Sequence, residues 1–198
     1  MHPPLVLAST STYRATLLKR LGLPFRVEAP GVIEDRLAGE APAVRASRLA
    51  LAKATAVAAT HPRALVVGSD QVADCDGLIL EKPGDEQRCR GQLAACSGRA
   101  VTFFTAVVLM RGQPAFLGQH VDRTVVRFRS LDPAEIARYV QLERPFDCVG
   151  GFRCEGLGIT LFTGIDSGDP TALIGLPLIW VSSALRQAGL DPLAASHD

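Results

Sequence analysis

"LVLASTSTYR", residues 5–14, runs from four apolar residues into a string of small hydroxylated ones and then to an arginine. Apolar residues without alternation read as a short strand buried on both faces, as in a parallel sheet. Ser11 stands where an N-cap belongs, ahead of a helix with an apolar stripe at Leu17, Leu18 and Leu21 and a stop at Gly22. A buried strand feeding directly into a capped helix is the opening unit of an α/β fold. The same unpaired N–H groups and helix dipole that a cap satisfies also favour an anion, and Arg14 lies one turn further on. A plain cap followed by a solvated arginine accounts for these residues equally well.

Working outward, a second strand is expected at 25–29, ended by Pro30-Gly31. An alanine-rich helix over 41–60 carries Pro42 near its first turn. A buried strand at 64–70 ends in "GSD", and 71–82 has a hairpin signature around Asp76-Gly77. A helix over 85–96 is stopped by Ser97-Gly98. Two long strands follow at 99–110 and 120–130, then a helix capped by Asp132 with Pro133 at its first position. A glycine-rich loop at 150–158 and a last helix from about 177 to 189 complete the order, and the tail after Leu190 is expected to be unfolded. Repeats and low-complexity linkers are absent from the sequence. The expectation is an α/β protein with a large mixed sheet in two lobes.

Composition excludes several classes. A net charge of +1 over 198 residues gives no basic excess for binding nucleic acid, so any bound anion is small and held locally. No apolar run is long enough to span a bilayer, and the opening residues lack a secretion signal, so no membrane role and a cytoplasmic location are expected. Five cysteines without C-x-x-C spacing read as reduced thiols rather than disulfides or a zinc site. The four histidines are scattered, two of them near the termini, which leaves little for histidine-based chemistry.

Four groups of residues carry candidate chemistry. Ser9, Thr10, Ser11 and Arg14 form the helix-start cradle already described. Asp70 closes a buried strand, where open α/β sheets place their ligands; it suits a general base or metal ligand, or the cap of a turn. Lys53 interrupts an apolar helix face and Lys82 ends the hairpin; with Lys19 they are the only lysines among 21 basic residues. A compact ammonium on a flexible stem suits phosphate oxygens, and snorkelling at a core edge is the alternative. Glu155, among glycines in "GGFRCEGLG", could face a flat ligand, while Glu34 and Asp35 after a Pro-Gly break could supply carboxylate to a metal or form a solvated loop. Together these are the parts for metal-assisted hydrolysis of a phosphoanhydride.

In order along the chain, "LASTSTYRATLL", "APGVIED", "RLALAKA", "VVGSDQV", "LEKP", "SGRAVTFFTAV", "GGFRCEGLGITLF" and "DPTALIGLPL" resemble the Maf family of nucleoside triphosphate pyrophosphatases. The resemblance runs nearly end to end. It implies one domain over 1–198, similar in fold to the inosine-triphosphate pyrophosphatases: an elongated mixed β-sheet with flanking helices and two lobes around a central cleft. It implies cleavage between the α- and β-phosphates with a divalent cation, Mg2+ or Mn2+. Asp70 then matches the catalytic base, Glu34 an acidic position tied to metal and catalysis, and Lys53 and Lys82 the cleft lysines. Asp70 and Glu34 are the implied metal ligands. Ser9, Thr10, Ser11 and Arg14 match the phosphate-contacting opening. Two positions depart from the pattern: Ala15 replaces a frequent second arginine, and Ile33 replaces the first acid of a pair near Glu34, with Asp35 following.

Tyr13, Gln71 and Glu155 occupy the positions that separate the family's branches, and they are similar to the 7-methyl-GTP branch rather than the dTTP/UTP branch. The chemistry agrees. A carboxylate can accept the two adjacent N–H donors of guanine, and a tyrosine face attracts a methylated, cationic ring by about 0.5–2 kcal/mol. The alternatives are a dTTP/UTP pyrophosphatase and a nucleotide-binding regulator of cell division, which would bind without releasing pyrophosphate. A homodimer is the other partner to be considered, through an open strand edge in "RAVTFFTAVVLM".

Overall fold

The computed structural model describes residues 3–194. Strand β1 (Leu5–Ala8) passes into helix α1 (Thr12–Lys19), with Ser11 as N-cap accepting from the Arg14 amide. Strand β2 (Arg26–Glu28) leads to α2 (Pro42–Ala58), which has proline in its first turn as expected. Strand β3 (Leu65–Cys75) is longer than the sequence suggested, because the buried strand and the first arm of the hairpin are one continuous element. It turns at Asp76-Gly77, both at positive φ, into β4 (Leu78–Leu80). Helix α3 (Glu86–Cys96), strands β5 (Ala100–Arg111) and β6 (Phe116–Phe128), helix α4 (Pro133–Glu143), strand β7 (Phe162–Asp166) and helix α5 (Leu178–Gln187) follow. The glycine-rich loop is not structureless: short 3-10 turns occupy Val149–Gly151 and Leu157–Leu161, and a third lies at Ala172–Ile174. Half of the expected unfolded tail, residues 195–198, lies outside the described residues.

The seven strands form one mixed sheet in the order β2-β1-β3-β5-β6-β7, with β4 pairing to β3. β1 is parallel to β2 and β3, and the remaining pairs are antiparallel. The open edge expected in residues 99–110 is not there. β5 is hydrogen-bonded to β3 on one side and to β6 on the other, so both its backbone edges are satisfied. Its unalternating apolar sequence signals burial on both faces of a central strand.

Alternation along β3 and β5 sorts the core. Leu65, Val67, Val107 and Leu109 face α1 and α5, while further along the same face Ala73, Cys75, Val101 and Phe103 meet residues of α3 and α4. Val66, Val72, Ala106 and Val108 face the other way, against Ala46, Ala50, Ala54 and Val57 of α2. Period-2 side-chain geometry makes this division automatic.

β3 is the spine of the sheet, and its pairing positions the site. β1 pairs with Leu65–Gly68 and β4 with Ala73–Cys75, while the opposite edge is held continuously by β5. On the β1/β4 edge, residues 69–72 therefore have no neighbouring strand. A cleft of about 850 Å³ opens at this gap, beside the C-terminal end of β1 and the start of α1. Crevices at the carboxyl ends of parallel strands are where open α/β sheets bind ligands.

Gly68 sets how closely α2 approaches the spine. A Cβ there would lie 2.5 Å from the Ala50 carbonyl oxygen and 2.7 Å from the Ala54 amide nitrogen, both of them backbone atoms of α2. Gly68→Ala is expected to destabilise the fold by about 1–3 kcal/mol through overpacking. Urea denaturation checks this; an unchanged midpoint would show that the helix can move away at no cost.

Candidate active site

The acid–base centre comes from three elements. Asp70 is two residues beyond Gly68 on the same face of β3, so it also points toward α2. Lys53, one residue before Ala54 on α2, meets it: Nζ donates to Asp70 Oδ1 at 2.6 Å. The same ammonium lies 2.7 Å from Glu34 Oε1, from the loop after β2. Lys53 and Asp70 are 5% and 6% exposed, so each charge depends on the other: an unpaired buried charge is very costly. Snorkelling does not describe Lys53.

Glu34 is half exposed. Burial alone would raise its pKa, but the Lys53 hydrogen bond and the charges of Lys53, Arg14 and Lys82 outweigh that and hold it below the usual carboxylate range. Arg14 is partly buried. Burial lowers its pKa, and the charges of Asp70 and Glu34 oppose that effect. Its Nε donates to the Gly175 carbonyl at 3.0 Å and its Nη1 to Ser9 Oγ at 3.4 Å. Ser9 Oγ also accepts from the Ser11 amide at 3.1 Å. The opening stretch is thus a cap and a cationic cradle at once, and Arg14 is not a solvated surface residue. Thr10 and Lys82 are exposed on the cleft wall.

Ser69 and Gln71 point to the opposite face from Asp70 and hold the loop after β7. Ser69 Oγ donates to the Gly175 carbonyl at 3.0 Å. Gln71 Nε2 is within 2.9–3.1 Å of Thr105 Oγ1 and the carbonyls of Ala172 and Leu173. Its amide hydrogens are therefore committed to the protein, and only Oε1 is left for a ligand. Buried Asp169 fixes this loop from behind: Oδ1 accepts from the Thr171 amide and hydroxyl, and Oδ2 from the Ile179 amide. It thereby caps α5, whose own N-cap residue, Pro177, has no side-chain acceptor. Gly175 adopts φ 126°, a conformation L side chains rarely take.

Tyr13 lies in a second cluster of the cleft. Its hydroxyl donates to Asp147 Oδ1 at 3.3 Å and accepts from Cys148 Sγ at 3.4 Å. The Arg153 guanidinium sits 5.7 Å from the ring centroid and bonds to the same Asp147 oxygen. Exposed Glu155 accepts from Cys154 Sγ at 3.4 Å. Burial raises the pKa of the Cys148 thiol and pushes that of Cys154 up to about 12, so both act as neutral donors rather than as thiolate nucleophiles. All five cysteines are free.

Sequence reasoning therefore located Ser9, Thr10, Ser11, Tyr13, Arg14, Glu34, Lys53, Asp70, Gln71, Lys82 and Glu155, all of which line this cleft. It did not find Ser69, Arg45, Asp147, Arg153 or the Gly175 carbonyl. Asp147 precedes the glycine-rich loop and Arg153 lies within it, and both were visible only as charges there. The two departures point elsewhere: Ala15 packs against the core under α1 and α5, and Ile33 is 79% exposed.

Residues 4–188 match the family model described as Maf-like protein. The chain belongs to the Maf family. Among its Maf relatives, a protein of Xanthomonas campestris pv. campestris named 7-methyl-GTP pyrophosphatase is 55% identical over 96% of this chain and 99% of its own. Proteins of the same name from Polaromonas sp. strain JS666 and Bordetella avium are 50% and 49% identical, covering 94% and 97% of this chain and 85% and 96% of theirs. Among solved structures, the Ham1 protein of Staphylococcus aureus aligns with 63% of this chain and 71% of its own, with a TM-score of 0.43 at 13% identity.

Among the described residues, no group of three or more His, Cys, Asp or Glu side chains is arranged to hold a metal ion, and no helix is long and apolar enough to cross a membrane. The cleft offers two carboxylates, Asp70 and Glu34, joined through Lys53. One or two carboxylates, completed by waters and phosphate oxygens, are the usual donor set for Mg2+. The residues thus fit an ion that arrives with a phosphorylated ligand, and not an all-protein cage.

Two measurements check this electrostatic picture. Lys53→Met strands Asp70 and should cost about 3 kcal/mol in urea denaturation, part of which Asp70→Asn should restore in the double variant. For Glu34 the folded pKa is the lower one, so its ionisation stabilises the fold above its unfolded value of about 4.3, and that contribution is lost as pH falls through the folded value. The stability difference between wild type and Glu34→Gln should therefore shrink on acidification from about pH 6 to about pH 3. A difference independent of pH would contradict the pairing.

Proposed function

We propose that this protein is a nucleoside triphosphate pyrophosphatase that hydrolyses 7-methyl-GTP to 7-methyl-GMP and pyrophosphate. The observation that carries this reading is the Asp70–Lys53–Glu34 chain at 2.6 and 2.7 Å, set in the gap of the sheet edge. The shared name of relatives about half identical over nearly the full length supports the substrate.

In this reading Lys53 fixes Asp70 Oδ1, so that Oδ2 accepts a proton from the water attacking the α-phosphate. Arg14, Lys53 and Lys82, with the amides at Ser9–Ser11, stabilise the charge that builds on the departing pyrophosphate. Asp70 and Glu34 would hold a Mg2+ or Mn2+ ion, which when bound neutralises phosphate oxygens. Glu155 accepts the two N–H donors of the guanine edge. Tyr13 already carries Arg153 over one face, leaving the other for a methylated ring. Gln71 acts chiefly through the loop it holds, presenting only its carbonyl oxygen to the base.

Pyrophosphate release from a panel of 7-methyl-GTP, GTP, dTTP and UTP, with and without divalent metal, tests the reading. The expected result is preference for 7-methyl-GTP, loss of turnover by about a hundredfold or more in Asp70→Asn assayed below the variant's own melting transition, and loss of the preference in Glu155→Gln. Rapid UTP hydrolysis with none of 7-methyl-GTP would assign the chain to the other branch. Tight nucleotide binding with no release of pyrophosphate would favour a regulator.

A further inference from the structure

Arg45 is a charged group in the cleft that the scheme above leaves unused. It lies on α2 eight residues before Lys53, about 12 Å along the helix axis. Its side chain is 15% exposed, yet its partners are poor. Nη1 is 3.9 Å from Glu81 Oε1, a carboxylate that is itself 67% exposed. Nη2 reaches the Glu34 carbonyl only at 3.5 Å, and Nε is buried with no partner. Arg48, one turn further along the helix, shows what a satisfied guanidinium looks like here: it grips Glu40 at 2.6 and 2.7 Å and the Asp35 carbonyl at 3.0 Å.

A guanidinium offers five donors in a rigid fork matched to phosphate oxygens, and a buried donor without a partner carries a desolvation cost that a ligand can remove. Arg45 lines the same cleft as Asp70 and reaches toward Glu81, the neighbour of Lys82. Among the described residues, no hydrogen bond or ion pair joins it to the Tyr13–Asp147–Arg153 cluster. We infer that Arg45 is a further substrate-binding residue, which with Lys82 grips the diphosphate end of the bound nucleotide. This rests on reading the cleft as a nucleoside triphosphate site. The Glu81 contact is the resting partner that the phosphate replaces.

Calorimetric titration of the full chain with inorganic pyrophosphate and, separately, with 7-methyl-GMP tests the inference. Arg45→Gln should weaken pyrophosphate binding about tenfold to a hundredfold while changing 7-methyl-GMP binding by less than about twofold, and Arg45→Lys should restore part of the loss. Equal pyrophosphate affinity in wild type and Arg45→Gln overturns the role of Arg45 and leaves the triphosphate reading intact. Equal loss for both ligands also overturns it, since that marks a general distortion of the cleft. Wild type that binds neither ligand overturns the triphosphate reading itself. Should Arg45→Gln not fold, Arg45→Lys decides alone: weakened pyrophosphate binding supports the inference, and unchanged binding overturns it.

Discussion

The ion pair between Lys53 and Asp70 is the constraint on which the rest of the site depends. It places two nearly buried charges 2.6 Å apart, and such charges are tolerated only in each other's company. Their meeting requires α2 to lie almost on top of β3, which is why position 68 has no room for a side chain. From that close contact the geometry follows. Two residues along the strand the next side chain on the same face is a carboxylate, and one residue back along the helix the side chain is an ammonium. Glu34 completes the set from the loop after β2, which Arg48 also holds through the Asp35 carbonyl.

The second organising feature is the interrupted edge of β3. A strand edge without a partner is ordinarily a hazard, because its N–H and C=O groups invite pairing with another chain. Here the interruption is only four residues long, between the C-terminal ends of β1 and β4, and it opens into a cleft. The pleat then separates two tasks by alternate residues. Asp70 faces α2 and the cations, whereas Ser69 and Gln71 face the loop that carries the Ala172, Leu173 and Gly175 carbonyls. Arg14 bridges the two sides, since it is anchored to Gly175 and Ser9 and feels the charges of Asp70 and Glu34.

Net charge near zero and a strongly charged cleft are compatible, because the cations converge locally while acidic and basic residues elsewhere balance, several of them in ion pairs. Arg90 with Glu86, Arg127 with Asp166 and Arg129 with Glu135 are such pairs, and none of them lines the cleft. A protein built this way holds a small anion by geometry and has no extended field for a polyanion.

The sequence alone determined the alternation of strands and helices, the caps at Ser11 and Asp132, the hairpin at Asp76-Gly77, and the residue types needed around a phosphoanhydride. These are local features: periodicity, turn chemistry and capping act over a few residues, so they can be read from neighbours in the chain. Only the tertiary structure decided that β5 is a central strand and not an edge, and that the buried strand and the hairpin arm form one spine. Partners 34 to 161 residues apart also had to be brought together before Gln71 could be seen holding a loop and Arg14 anchored on Gly175. Strand order and side-chain pairing are settled by which buried surfaces and charges find each other across the whole chain, and no short stretch of sequence contains that information.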